Sequence, residues 1–528
     1  MKRVSLIAIL LLLVLTVKAQ FLQVTEGPLF PAPEKGVVKL LQMKNGSTVY
    51  LHADPDSGMH VQVYEPEYRV RTETRFMPSS FKQRNVVVEG IFEMNADVVL
   101  MISGSGDEGV SLYRLLIDGK TAKMKDEQRI AMVKRNLTAT GKEKSSEPAL
   151  PVFSVRYDAK GAGYAAAIMN TFISDTSKLI EMIMFTSDNR ESFRRHYATK
   201  KEKYRYLQLI DLAVTGADKA AAVLYGYNQG TAAEKNGEMM LATLGKDQPG
   251  LTVNELSYSN GLVPENGIIR YESTFNQLML LTTARVRSEN MRLHNYLGYI
   301  NLASRELVSN TVITAGEKVK ARYAELYGKK AEYKALPQNL LLNDDRSYTV
   351  IYEELELSSG KEAGDFATIR NTSVVNYDPE GSVTDAYLIP LEHAVKQFNP
   401  GPFCLSSYWQ RGQQLISNCQ FATVNYISDG HNSYLLFNDK EMNAGSSTGK
   451  PVSAMTDLKE ASAFFCRLSG KELIPPREFM FGKPAAGSEP KLALFSVSDY
   501  DRANNLLVLL KQDKEDNRTG VKVVWLQP

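Results

Sequence analysis

The stretch VVLMISGSGDEGVSLYRLLI, Val98 to Ile117, is two extended apolar runs joined by a turn. Val98 to Ile102 and Val110 to Ile117 are rich in β-branched and aliphatic residues, and Gly104-Ser105-Gly106-Asp107 between them suits a tight turn. Gly104 to Gly109 also satisfies the dinucleotide pattern G-x-G-x-x-G. That pattern needs a helix N-terminus to hold a pyrophosphate. The residues that follow are strand-like, so the stretch is read as a hairpin and not as a nucleotide site.

The same unit recurs in both directions. Thr48 to His52 turns at Asp54-Pro55-Asp56-Ser57-Gly58 into Val61 to Tyr64. Phe153 to Tyr157 leads into Tyr164 to Met169, and Leu207 to Val214 turns into Ala221 to Tyr227. Near the end, Phe495-Ser496-Val497 leads into Leu506 to Leu510, and a last strand is expected from Val521 to Leu526. Phe153-Ser154-Val155 and Phe495-Ser496-Val497 open two otherwise dissimilar hairpins, a trace of a degenerate repeat.

Hairpins at a spacing of roughly 50 residues predict radial repetition of four-stranded blades. The expected fold is all-β, a β-propeller of seven or eight blades occupying residues 20–528. Tandem β-sandwich domains would show the same hairpins, but no Pro/Gly/Ser-rich linker divides the chain. The polar stretch Asn136 to Glu147 reads as a surface loop. One inserted helix is expected near 314–328: Thr314-Ala315-Gly316-Glu317 fits a capping box, and Gly328 can end the helix.

The N-terminus reads as a cleavable signal peptide over residues 1–19. Lys2 and Arg3 precede an apolar run from Leu6 to Val17, and Val17-Lys18-Ala19 predicts cleavage before Gln20. No cysteine follows to carry a lipid anchor, and no later segment approaches the roughly 20 apolar residues that span a bilayer. The expected location is periplasmic or extracellular, in soluble form. Losing Lys2, Arg3 and Lys18 takes the formal net charge from +2 to −1. Near-neutrality removes the electrostatic reason to propose nucleic acid as a partner. A hydrophobic content of 43% with 23% charged residues is that of a chain able to bury a large core.

Candidate chemistry is sparse. Strand alternation over Thr349 to Leu357 puts Glu353 on the same face as Ile351, Leu355 and Leu357, and an acid there must be paired or raised in pKa. Glu353 is therefore the catalytic candidate, although an internal salt bridge or a carboxylate at a channel lip is the commoner account of such an acid. Tyr434 to Asn443 ends a strand in a polar cluster, where Asn438, Asp439 and Asn443 are ligand-binding candidates or Asx turns. His52 and His60 flank a turn, with Asp54 and Asp56 between them. Exposed turn chemistry explains these four residues better than a metal, and no cofactor motif is present. Arg194 to Arg205 interleaves basic and aromatic residues and reads as a solvated loop entering the strand at Leu207. Cys404 and Cys419 are spaced to close a short disulfide loop in an oxidising compartment, or else to remain free thiols with Cys466.

Tyr348 to Leu357, Tyr387-Leu388-Ile389-Pro390 and Tyr434 to Asn443, with a signal ending in Ala-Gln, resemble exported β-rich proteins of Bacteroidota of unknown function. In that group a basic residue often follows the Ile-Pro pair, where this chain has Leu391. The resemblance implies export and β architecture and no activity. The function expected from the sequence is a non-enzymatic binding or scaffold protein taking a protein, peptide or glycan ligand. The alternative is a carbohydrate-active hydrolase or lyase using carboxylates on a propeller face.

Overall fold

Each hairpin read above belongs to an antiparallel meander, and eight such sheets make up the fold. The computed structural model describes residues 21–528 except 135–151, 159–160, 171–178, 198–203, 205, 229–236, 259–260, 361–363, 397–399, 417–418, 449–450, 470–471, 486–488, 490 and 516–517. The predicted signal peptide and the stretch 136–147 lie outside the described residues. Blades 1 to 7 begin with the strands Lys35–Gln42, Arg84–Met94, Val152–Tyr157, Tyr206–Gly216, Leu262–Glu272, Ala335–Leu342 and Asn425–Ser428. Blade 8 joins Ala493–Asp501, Leu506–Glu515 and Arg518–Gln527 to the N-terminal strand Leu22–Glu26.

The order of the blades is fixed by what fills the gaps between them. Val99, Leu112, Phe153 and Ile183 share one apolar cluster between blades 2 and 3. Comparable clusters join every successive pair. Tyr50, Tyr64, Leu494, Val508 and Trp525 join blade 8 back to blade 1. The chain is thus an eight-bladed β-propeller. A strand packed on both faces has no solvent side, which is why Asp97–Ser105 is buried along its whole length.

The seam is a strand from the other end of the chain. Leu22–Glu26 pairs with the last strand, and Glu26 takes ion pairs from Lys511 and from Lys522 at 3.3 Å. Phe153-Ser154-Val155 and Phe495-Ser496-Val497 both lie on blade-opening strands, of blades 3 and 8, the first regularly paired and the second within an irregularity of its ladder.

Among the described residues there are two α-helices. The first, α1 (Glu317–Tyr327), is the expected insertion, with Val319, Tyr323 and Leu326 buried and Gly328 closing it at φ 104°. Its capping box does not form. Gly316 occupies the N-cap with no side-chain cap, the Thr314 hydroxyl accepts from the Gly316 N–H at 3.3 Å, and Glu317 pairs with Lys320 instead.

The second helix, α2 (Cys404–Arg411), has no counterpart among the expected elements. It lies between blades 6 and 7 in sequence, yet in space it meets the opening strands of blades 2, 6 and 8. The residues after it, Gln413–Ile416, add a fifth strand to blade 1, pairing with Lys35–Val38 on its opening strand. This insertion plugs the channel at the centre of the ring.

Candidate functional site

The plug is seated in a collar of polar side chains, drawn from the opening strands of the blades. Arg156 of blade 3 contacts Gln410 of α2 and forms a buried ion pair with Asp211 of blade 4. The second oxygen of Asp211 accepts the Ile269 N–H at 2.9 Å. Arg270 of blade 5 donates to Asn339 Oδ1 and Ser406 Oγ, both at 3.0 Å, and to the Leu340 carbonyl at 2.9 Å. Arg411 of α2 pairs with buried Glu89 of blade 2 at 3.2 Å. Burial holds both Arg156 and Arg270 below the usual guanidinium range, Arg270 at about 10.

At one mouth of the plugged channel lies a cavity of about 280 Å³. Trp409 of α2 forms part of its wall, with Tyr157 at the end of the blade 3 opening strand and Tyr500 on that of blade 8. The Trp409 indole N–H donates to Asn425 Oδ1 at 2.8 Å, and Asn425 Nδ2 donates to Ser498 Oγ at 2.7 Å. Ser498 Oγ donates in turn to the Phe495 carbonyl at 2.6 Å. This chain of bonds fixes the direction of the indole N–H.

Lys39 also faces this cavity. It is buried at 3% exposure, and its ammonium makes one hydrogen bond, 3.5 Å to the Ser498 carbonyl. Burial holds its pKa below the ordinary lysine value, opposed by the nearby Asp499 carboxylate. Both Asp499 oxygens are already occupied, one by the Gln42 N–H at 2.7 Å and the other by the Tyr500 N–H at 2.9 Å. The protein around the Tyr157 hydroxyl pushes it up to about 12. At the rim Arg502 pairs with Asp344 at 3.1 Å.

A second cavity, of about 370 Å³, lies where the opening strands of blades 1 and 2 begin. Tyr408 and Arg411 of α2 reach it alongside Val37, Phe81 and Val87.

The candidates read from sequence are placed elsewhere. Glu353 is buried at 4% exposure, directly across the sheet from Thr372 and Leu336. Its Oε1 has no hydrogen-bond partner among the described residues, and desolvation pushes the carboxyl up to about 8. It faces the plug electrostatically through Cys404 and Tyr408 and lines neither cavity. Asn438, Asp439 and Asn443 are buried and bonded to the protein itself. Asn438 bridges Phe421 and Ala493, and Asn443 bonds Asp439 and both backbone groups of Ser453. Asp439 pairs with Arg477.

The remaining sequence features are equally local. Cys404, Cys419 and Cys466 are free thiols. Cys404 Sγ accepts the Gly401 N–H, while the Cys419 thiol donates to the Lys396 carbonyl. His52 and His60 are cross-strand neighbours bonded to the Lys35 carbonyl and to Glu73, and no metal-ligand cluster occurs among the described residues. Arg194 and Arg195 lie within the strand Glu191–Tyr197 rather than in a loop, with Arg194 paired to Glu181 and Glu191. No helix among the described residues is long and apolar enough to cross a membrane.

Sequence reasoning missed Lys39, Trp409 and Asn425 because they come from three distant segments. The one available signal was negative: residues 397–424 carry no hairpin pattern, although the chain around them does.

No family model and no curated protein matches the chain. Among solved structures it is similar to an ulvan lyase of polysaccharide lyase family 25 bound to a saccharide, with 7% identity and a TM-score of 0.39 over 70% of this chain and 86% of that one. The phage phi92 endosialidase aligns at 9% identity and a TM-score of 0.36, covering 94% of this chain and 75% of its own. The β-propeller domain of the trilobed protease from Pyrococcus furiosus aligns at 8% identity and a TM-score of 0.32, covering 69% and 100%. At such scores the architecture rests on the strand pairing of the chain itself.

Proposed function

We propose that this protein is an exported, glycan-binding β-propeller that holds a saccharide in the cavity beside Trp409. The observation that supports this reading is the meeting, in one small cavity, of aromatic side chains with polar and charged ones. Sugars present both surfaces: C–H faces that lie on aromatic rings, and hydroxyls that need placed polar partners. Trp409 has its single donor committed to Asn425, which fixes the direction of its indole N–H. The sequence of the segment 1–19 supports export.

Binding is favoured over cleavage by what the cavity wall contains. Glycoside hydrolysis ordinarily uses two carboxylates across the sugar bond. Asp499 is the carboxylate here, and both its oxygens are held by backbone N–H groups. Tyr157, raised to about 12, is a poor proton acceptor at neutral pH for an elimination.

Trp409 reports directly on the site, because the only other tryptophan, Trp525, is fully buried. Titration of the mature protein with a panel of oligosaccharides is expected to shift Trp409 emission. Trp409→Ala is expected to weaken binding by about 2 kcal/mol, roughly thirtyfold, in calorimetry. Unchanged affinity in that variant would sink the proposal. Release of shorter products from any panel member would turn the binding site into an active site.

A further inference from the structure

The centre of the ring carries more positive charge than its own carboxylates occupy. Arg156 is matched directly by Asp211. Arg270 bonds only neutral oxygens, from Ile269, Leu340, Asn339 and Ser406. Lys39 bonds one carbonyl, and among the described residues neither it nor Arg270 has a carboxylate within ion-pair distance. Asp499 acts on Lys39 at longer range, with its oxygens engaged by the backbone. The Tyr157 hydroxyl, on the cavity wall, lies within reach of the Asp499 carboxylate first and of both arginines after it.

A buried ammonium with one long hydrogen bond is costly unless something else completes its shell. It has two further N–H donors, and Lys39 lines the same cavity as Trp409.

We propose that the cavity selects acidic saccharides, with an anionic substituent of the sugar, carboxylate or sulfate ester, seated against the Lys39 ammonium while the ring lies against Trp409. This rests on the glycan-binding reading and adds the charge class of the ligand and the residue that discriminates it. Lys39 supplies charge-assisted hydrogen bonds, Arg270 adds a positive charge with no carboxylate bonded to it, and Trp409 holds the sugar whatever its charge.

The test uses pairs of oligosaccharides that differ in charge alone. Oligogalacturonate is compared with its methyl ester, and a sulfated galactan oligosaccharide with its desulfated form, by Trp409 emission and calorimetry on the mature full chain. The acidic member of at least one pair is expected to bind about tenfold or more tightly, and that preference is expected to fall as salt rises. The pair showing it tells carboxylate from sulfate. Lys39→Met is expected to abolish the affinity ratio between the acidic member and its neutral twin. Should Lys39→Met fail to fold, the salt dependence of the wild type decides the same question: a preference that does not fall with salt overturns the assignment.

Equal affinities within both pairs, or a preference that survives Lys39→Met, would overturn the charge assignment while the glycan reading stands. Binding of poly-glutamate with no response to any glycan would overturn both.

Discussion

The blade-to-blade contacts and the plug-to-collar contacts solve the same packing problem with opposite chemistry. Between blades the side chains are aliphatic and aromatic, as with Leu507, Leu509 and Val524 between blades 7 and 8. Around the plug they are Arg156, Asp211, Arg270, Glu89, Arg411 and Asn425, with Leu405 as an apolar anchor between blades 6 and 7. Apolar burial is non-directional and scales with area, so it closes the ring without dictating what fills its centre. A buried polar contact is directional, and its loss leaves an unsatisfied group, so it dictates one placement of α2. The ring therefore supplies stability, and the plug supplies a specific, charged cavity.

The largest expected effect lies on the apolar side of this comparison. Trp525 fills the junction of blades 8 and 1, against Tyr64 and Tyr68 at 5.1 Å between ring centroids, and its N–H donates to Thr48 Oγ1 at 2.9 Å. Trp525→Ala is expected to cost about 3–5 kcal/mol in denaturant unfolding and to leave the charge preference of the cavity intact. A loss below about 1 kcal/mol would show that the seam is held elsewhere.

Next comes the collar. Asp211→Ala leaves the Arg156 guanidinium buried without its counter-ion and frees the Ile269 N–H. The expected cost is about 3 kcal/mol, and, unlike the seam variant, this one is expected to shift Trp409 emission, because Arg156 also holds Gln410 one residue along α2. Destabilisation without a change in emission would mean that the collar is part of the ring after all.

The blades were legible in the sequence because a hairpin is a local object. Val98 to Ile117 contains both its strands and its turn, and the strands Asp97–Ser105 and Gly109–Asp118 match that reading closely. Blade number was harder to read, because the spacing is stretched by α1 between blades 5 and 6 and by the plug between blades 6 and 7. The cavity was not legible at all. Lys39, Trp409, Asn425 and Ser498 meet only when the ring closes, and none of them lies in a motif. Glu353 shows what strand alternation can and cannot do: it identified a buried acid and had no means of saying that the acid lies away from both cavities.

Glu353 also gives the smallest of these effects and the one with the opposite sign. Its carboxyl is raised from 4.5 to about 8 by burial, with no basic partner among the described residues. The folded protein therefore holds a proton that the unfolded chain has lost above pH 4.5. Folding stability is fullest below that value and declines as pH rises toward about 8, at up to about 1.4 kcal/mol per pH unit. Glu353→Gln keeps the shape and polarity of the neutral acid and does not titrate. Between about pH 7 and about pH 8 the wild type is expected to lose about 1 kcal/mol more than Glu353→Gln in denaturant unfolding. Glu89 and Glu93 are also raised by burial, but both remain in the variant, so the difference isolates Glu353. Here removing an acid stabilises, because the acid answers to no cation, whereas removing Asp211 from the collar destabilises because a cation answers to it. Parallel pH profiles for the two proteins would show that Glu353 is ionised and solvated at neutral pH, and would return it to consideration as a site residue.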